Sequence, residues 1–164
     1  MFKNCYSVSN EIELPATELA SSCYRNMFEK CYNLQIVKKF SASSLADYSC
    51  NQMFKGCFLL IYVPTLTITN ISGKSGCYAE MFKDCSLLNR VKANFNNLST
   101  NKSEVSKWLD NTFAKGLFVN YQLSSETEGE SIIPAGWNFV NNETSYLNYI
   151  KDVINNYSEG SSDS

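Results

Sequence analysis

The 164-residue chain contains no histidine. That excludes Ser-His-Asp and Cys-His catalysis, every His-containing zinc site and the imidazole proton shuttle near neutral pH. Any enzyme built on this sequence would depend on carboxylates, Lys, Tyr or Cys. Also missing is a run of about eighteen apolar residues, so no membrane-spanning segment is expected. The start, Met-Phe-Lys-Asn-Cys, has no apolar stretch after its basic residue, so no signal peptide is read there. Basic residues are not in excess: fourteen Lys and Arg stand against sixteen Asp and Glu, a net charge of −2. That balance argues against a nucleic-acid partner, which calls for a basic face. No Cys-x-x-Cys occurs, and the seven cysteines are an odd number, which disfavours metal sites and a disulfide framework.

What is present is a folded composition, 44% hydrophobic and 18% charged, in a chain about one domain long. Its main signal is self-similarity. All four methionines begin Met-Phe-x-x-Cys: Met1-Phe2…Cys5, Met27-Phe28…Cys31, Met53-Phe54…Cys57 and Met81-Phe82…Cys85, at steps of 26, 26 and 28. The other cysteines, Cys23, Cys50 and Cys77, fall just upstream of the next Met-Phe, Cys50 one place out of line with Ser49 in its column. Val8, Leu34, Leu60 and Leu88 share a column, as do Leu14, Phe40 and Leu66. The two extra residues of the third repeat fit within Ser72–Gly76, read as a widened turn.

Within one period, Cys23, Met27 and Cys31 at i, i+4, i+8, beside Tyr24 and Phe28, predict a short helix. Leu34 to Phe40 is apolar and predicts a strand, parallel to its equivalents one period away at a spacing of about 4.8 Å. The expected fold class is therefore α/β: a solenoid of about four coils over residues 1–98, with short parallel strands and short helical turns.

The pattern Met-Phe-x-x-Cys-x-x-Leu, Leu-Pro-Ala-x-x-Leu and Cys-Tyr-x-x-Met-Phe resembles the BspA-type leucine-rich repeats of bacterial surface proteins. It is clearest from Leu14-Pro15-Ala16 to Met27-Phe28, and Pro64 matches the family's proline. The second and third coils depart from it, with Phe40-Ser41 and Leu66-Thr67 where Leu-Pro is usual. The resemblance implies a leucine-rich-repeat solenoid in an adhesion or recognition protein at a cell surface. It carries over no catalytic, cofactor or metal-binding residues.

Beyond the repeats, residues 99–140 are expected to form an α+β cap. It would hold an amphipathic helix from Ser103 to Phe113 with Ser103 as N-cap, a Leu117–Leu123 strand, and Trp108 and Trp137 over the last coil. Residues 141–157 predict a flanking helix with a Tyr146, Leu147, Ile150, Val153, Ile154 stripe, and 158–164 a disordered tail. The acidic run from Ser125 to Glu130 reads as an exposed loop. Lys3, Lys55 and Lys83 read as a solvated column.

Met1 begins in mid-coil, so the first coil's edge is expected to be open, through removal of upstream repeats or for docking on a partner. The cysteines read as packed thiols and the Met-Phe pairs as core, not as reactive groups. The function expected is non-enzymatic, without cofactor: recognition or adhesion, binding a protein or a glycan through the strand-bearing face. Candidate partner-binding residues are Asn10, Ile36, Lys38, Tyr62, Thr65, Arg90 and Lys92, with Tyr62 and Arg90 of the types enriched at hot spots. The alternative is a structural subunit of a surface layer or a phage virion appendage, self-associating through the open N-terminal coil.

Overall fold

A computed structural model describes residues 2–123 and 126–160, the latter helical ends at residue 126 and from residue 157 by backbone alone. Among the described residues, five short strands form two parallel sheets: β1 (Glu11–Leu14) with β2 (Ile36–Phe40), and β3 (Arg90–Lys92), β4 (Leu117–Val119) and β5 (Asn138–Val140) in that order. The α-helices of the described residues, α1 (Glu126–Glu130) and α2 (Glu143–Gly160), lie beyond the repeated part of the sequence.

This overturns the expected leucine-rich-repeat solenoid. The protein is a small α/β structure with two separate sheets of two and three strands, not a repeat solenoid with one continuous sheet. The helical turns expected at each period are absent, because residues 21–30 and 47–56 are hydrogen-bonded turns. Between the sheets, residues 61–66 make only isolated bridges, Ile36 to Tyr62 and Leu66 to Ala93.

The turn geometry explains why a helix was expected. Ser22, Asn26 and Lys30 all have φ near +57°, as do Tyr48 and Gln52, with Gly56 closing the second series. A left-handed residue every four positions breaks the helix, yet it keeps the i, i+4 spacing that an α-helix also produces. Odd-numbered residues donate locally, Cys23 N–H to Ala20 O, Met27 to Tyr24 and Cys31 to Phe28 (3.0–3.2 Å). Even-numbered ones donate across, Tyr24 to Ser49 O, Asn26 to Asn51 and Phe28 to Met53 (2.8–3.0 Å). From Ser22 to Cys31 and from Tyr48 to Cys57 every backbone donor thus finds an acceptor without helical geometry.

The core lies between these turns and the strands. Phe2, Phe28, Phe54 and Phe82 stack with centroids 5.5–5.8 Å apart and planes within 11°, and Trp108 follows at 6.4 Å. Met53, Phe54, Met81 and Phe82 are all at most 1% exposed, whereas Phe2, at the open end, is 47% exposed. Met1 lies outside the described residues.

The C-terminal part also differs from expectation. Ser103 is the first residue of a 3-10 turn, Ser103–Val105, whose N-cap is Lys102, and no amphipathic helix runs to Phe113. Trp108 is fully buried and its indole N–H donates to Ile132 O (2.7 Å). The strand expected over Leu117–Leu123 ends at Val119. Much of the acidic run is helical rather than a loop, forming α1; Ser125 lies outside the described residues. α2 extends through Gly160 and includes 158–160 of the expected tail, while 161–164 lie outside the described residues. It packs by Tyr146 and Tyr149 on Leu117, Val119 and Val140, leaving Leu147, Val153 and Ile154 of the expected stripe exposed.

Candidate functional site

The turn side of the molecule is chemically closed. Cys31 Sγ donates to Phe2 O (2.9 Å), Cys57 to Phe28 O (3.0 Å) and Cys85 to Phe54 O (3.1 Å). The Met-Phe-x-x-Cys spacing thus places each thiol on a carbonyl of the preceding period. Burial pushes the Cys57 and Cys77 thiols up to about 12, and Cys50 and Cys85 well above their ordinary value. A thiol so protonated is a poor nucleophile and a poor metal ligand. All seven cysteines are free, Cys23 exposed and Cys5 half-buried. No cluster of three metal-ligating side chains occurs among the described residues.

The lysine column belongs to this closed side and is not simply solvated. Lys3 pairs with Glu29 (2.7 Å), and Lys55 and Lys83 both reach Glu80 (2.6 and 3.6 Å). Asn26 links to Gln52 (2.7 Å) and Gln52 to Glu80 (3.3 Å). The Lys55 ammonium holds the Glu80 carboxyl below the usual carboxylate range. Burial would raise Glu29, but Lys3 and Asn26 outweigh it and hold its pKa low.

Glu104 lies in the Ser103–Val105 turn, within the span where the sequence predicts a helix. It is fully buried, and accepts from Gly73 N–H (2.9 Å), Ser99 N–H (3.1 Å) and Ser99 Oγ (2.7 Å). Burial opposes its charge, yet these donors prevail and keep its pKa low. This carboxylate ties two loops together.

The strand-bearing side is different. The Asn10 carbonyl accepts from Ile36, Gln35 from Ile61, Asn89 from Leu117 and Gly116 from Asn138, each at 2.9 Å. One rung is missing: among the described residues, no backbone hydrogen bond joins 61–65 to 89–91. Pro64 has no N–H to give, so the rung that would precede the one from Leu66 to Lys92 cannot form. Pairing resumes where Leu66 N–H donates to Lys92 O (2.9 Å).

The gap opens as a cavity of about 360 Å³ lined by Ile61, Tyr62, Val63, Thr65, Asn89, Arg90 and Lys92. Four of the seven residues expected from sequence, Tyr62, Thr65, Arg90 and Lys92, converge here. The other three do not. Ile36 is half-buried and bridges to Tyr62, Lys38 is ion-paired with Glu11, and Asn10 sits outside the sheet as an acceptor for β2.

Tyr62 is 53% exposed. The Arg90 guanidinium lies 5.6 Å from the Tyr146 ring centroid, and the Lys92 ammonium 5.1 Å from that of Tyr121. Both cations are thereby oriented without being neutralised. Sequence reasoning missed Asn89, Tyr121 and Tyr146. Asn89 could have been found from the Asn89-Arg90-Val91-Lys92 alternation; the two tyrosines reach the site only through the tertiary fold.

No protein-family model matches the chain, and no curated protein or solved structure is found to be similar to it. No helix among the described residues is long and apolar enough to cross a membrane.

Proposed function

We propose that this protein is a non-enzymatic recognition or adhesion module that binds a protein or a glycan at the hollow beside β3. The observation that carries the reading is the convergence of Tyr62, Thr65, Arg90 and Lys92 on one cavity. Exposed tyrosine and arginine are the types that dominate binding energy when a partner covers them. A panel of immobilised glycans and extracellular-matrix proteins tests it, using wild type, Tyr62→Ala and Glu18→Ala, an exposed residue of the first period that pairs with Ser44 and does not line the hollow. Saturable binding lost in Tyr62→Ala and kept in Glu18→Ala is expected. Binding that survives Tyr62→Ala, or none to any member of the panel, sinks the reading.

A second reading, a structural subunit, is favoured by a cavity of about 490 Å³ at the other end of the molecule. Phe2, Cys5, Val8, Ile12 and Met27 line it, and the ring of Phe2 covers Phe28. A second copy seated there would self-associate in sedimentation velocity at micromolar concentration, and Phe2→Glu would abolish that. A wild-type monomer would dispose of this reading.

A further inference from the structure

The hollow beside β3 carries a charge opposite in sign to the net charge of the chain. The chain is net negative, yet the cavity is lined by Arg90 and Lys92 and by no carboxylate. Neither cation has an ion-pair partner among the described residues. Successive strand residues direct their backbone groups to opposite sides, and those of Arg90 face the gap. The Arg90 N–H has no acceptor across it. A side-chain cation, a second cation two residues on and a backbone N–H therefore face one small space.

We propose, resting on the recognition reading above, that this hollow takes a carboxylated sugar, a uronic-acid residue of a saccharide. An arginine matches a carboxylate with paired N–H donors, and Lys92 adds a point charge. The exposed ring of Tyr62 offers an apolar face to a sugar ring, while Asn89 and Thr65 supply polar groups for hydroxyls. A peptide strand fits less well. The Leu66-to-Lys92 hydrogen bond closes the gap at one end, so an added strand cannot run through. The volume, about 360 Å³, also lies at the small-ligand end of the range for binding cavities.

Calorimetric titration tests the proposal with trigalacturonate, its carboxyl-reduced neutral counterpart and hexaglutamate as probes. Trigalacturonate is expected to bind with an affinity that falls as NaCl is raised. The reduced form should bind at least about tenfold more weakly, and Arg90→Gln and Lys92→Gln should each lose about tenfold at unchanged Tm. Equal affinity for the charged and reduced saccharides, lost in Tyr62→Ala, overturns the anionic ligand but leaves the recognition reading standing. Stronger binding of hexaglutamate reassigns the hollow to acidic peptides and overturns the sugar. No heat with trigalacturonate overturns the proposal, while the recognition reading is judged by its own panel. If either variant misfolds, salt dependence of the wild type decides: affinity indifferent to NaCl overturns the proposal.

Discussion

The turn side and the strand side are built from the same sequence period but spend their polar groups differently. On the turn side, backbone donors are paired locally or with the next period, thiols sit on carbonyls, and lysines sit on glutamates. On the strand side the ladder is interrupted at Pro64, and two cations on β3 face a hollow with no carboxylate. Paired backbone groups, thiols and lysines hold the wall together; the unpaired cations of β3 leave groups for a partner. The comparison therefore separates what holds the fold from what is available for binding.

The largest expected effect breaks the wall. Phe54→Ala removes the middle ring of the aromatic stack, 1% exposed, and should cost about 3–5 kcal/mol in a denaturant titration. Tyr62→Ala, on the open side, should leave the midpoint nearly unchanged. Equal losses from the two would erase the distinction.

Glu104→Ala comes next. It leaves the Gly73 and Ser99 N–H groups without their acceptor and should cost about 2–3 kcal/mol by the same measurement. Its pH signature has a definite sign. Glu29, Glu80 and Glu104 all have folded pKa values below the ordinary 4.5. Their stabilisation is complete above that value and is lost as the pH falls through the lower, folded pKa values. Stability should therefore decline below about pH 4.5, and less steeply in Glu104→Ala; an identical pH dependence would contradict the assignment.

Lys55→Ala measures the value of the half-buried ion pair with Glu80 and should cost about 0.5–1 kcal/mol. Sequence alone, which placed Lys55 on a solvated face, gives a change within about 0.5 kcal/mol of zero. Tyr78→Phe sharpens the comparison from the other direction. Tyr78 is fully buried and its hydroxyl has no hydrogen-bond partner, so removing it should be neutral or stabilising by up to about 1 kcal/mol. Native alkylation should reach only Cys23 and Cys5, and Cys23→Ser should shift stability by less than about 0.5 kcal/mol. Rapid labelling of Cys57 or Cys85 would mean that the wall opens.

Much of the interior was legible. Met53, Phe54, Cys57, Leu60, Met81, Phe82, Cys85 and Leu88 are all buried where the columns put them. The displaced Cys50 is resolved by the backbone ladder. Tyr24 N–H donates to Ser49 O, Cys50 to Cys77 O and Tyr78 to Glu104 O, which sets Cys50 in the tyrosine column between Tyr24 and Tyr78. The fold class was not legible, since i, i+4 spacing fits an α-helix and also a turn with one left-handed residue in four. Of the residues lining the hollow, Tyr62, Thr65, Arg90 and Lys92 stand between core columns in the sequence, but only Tyr62 and Arg90 are exposed; Thr65 and Lys92 are half-buried. Lys38 was not separable from them, because its pairing with Glu11 depends on how β1 and β2 align.

The one-dimensional order of residues determined which side chains are interior, because burial selects residue type and recurs with the period. It also determined that imidazole chemistry is impossible here. Only the tertiary structure decided that the strands part into two sheets, that Glu104 joins two loops, and that Tyr121 and Tyr146 orient the cations of β3. The contacts of Lys92 with Tyr121, Gly73 with Glu104 and Arg90 with Tyr146 join residues 29, 31 and 56 positions apart, and no local pattern encodes which distant group a side chain will meet.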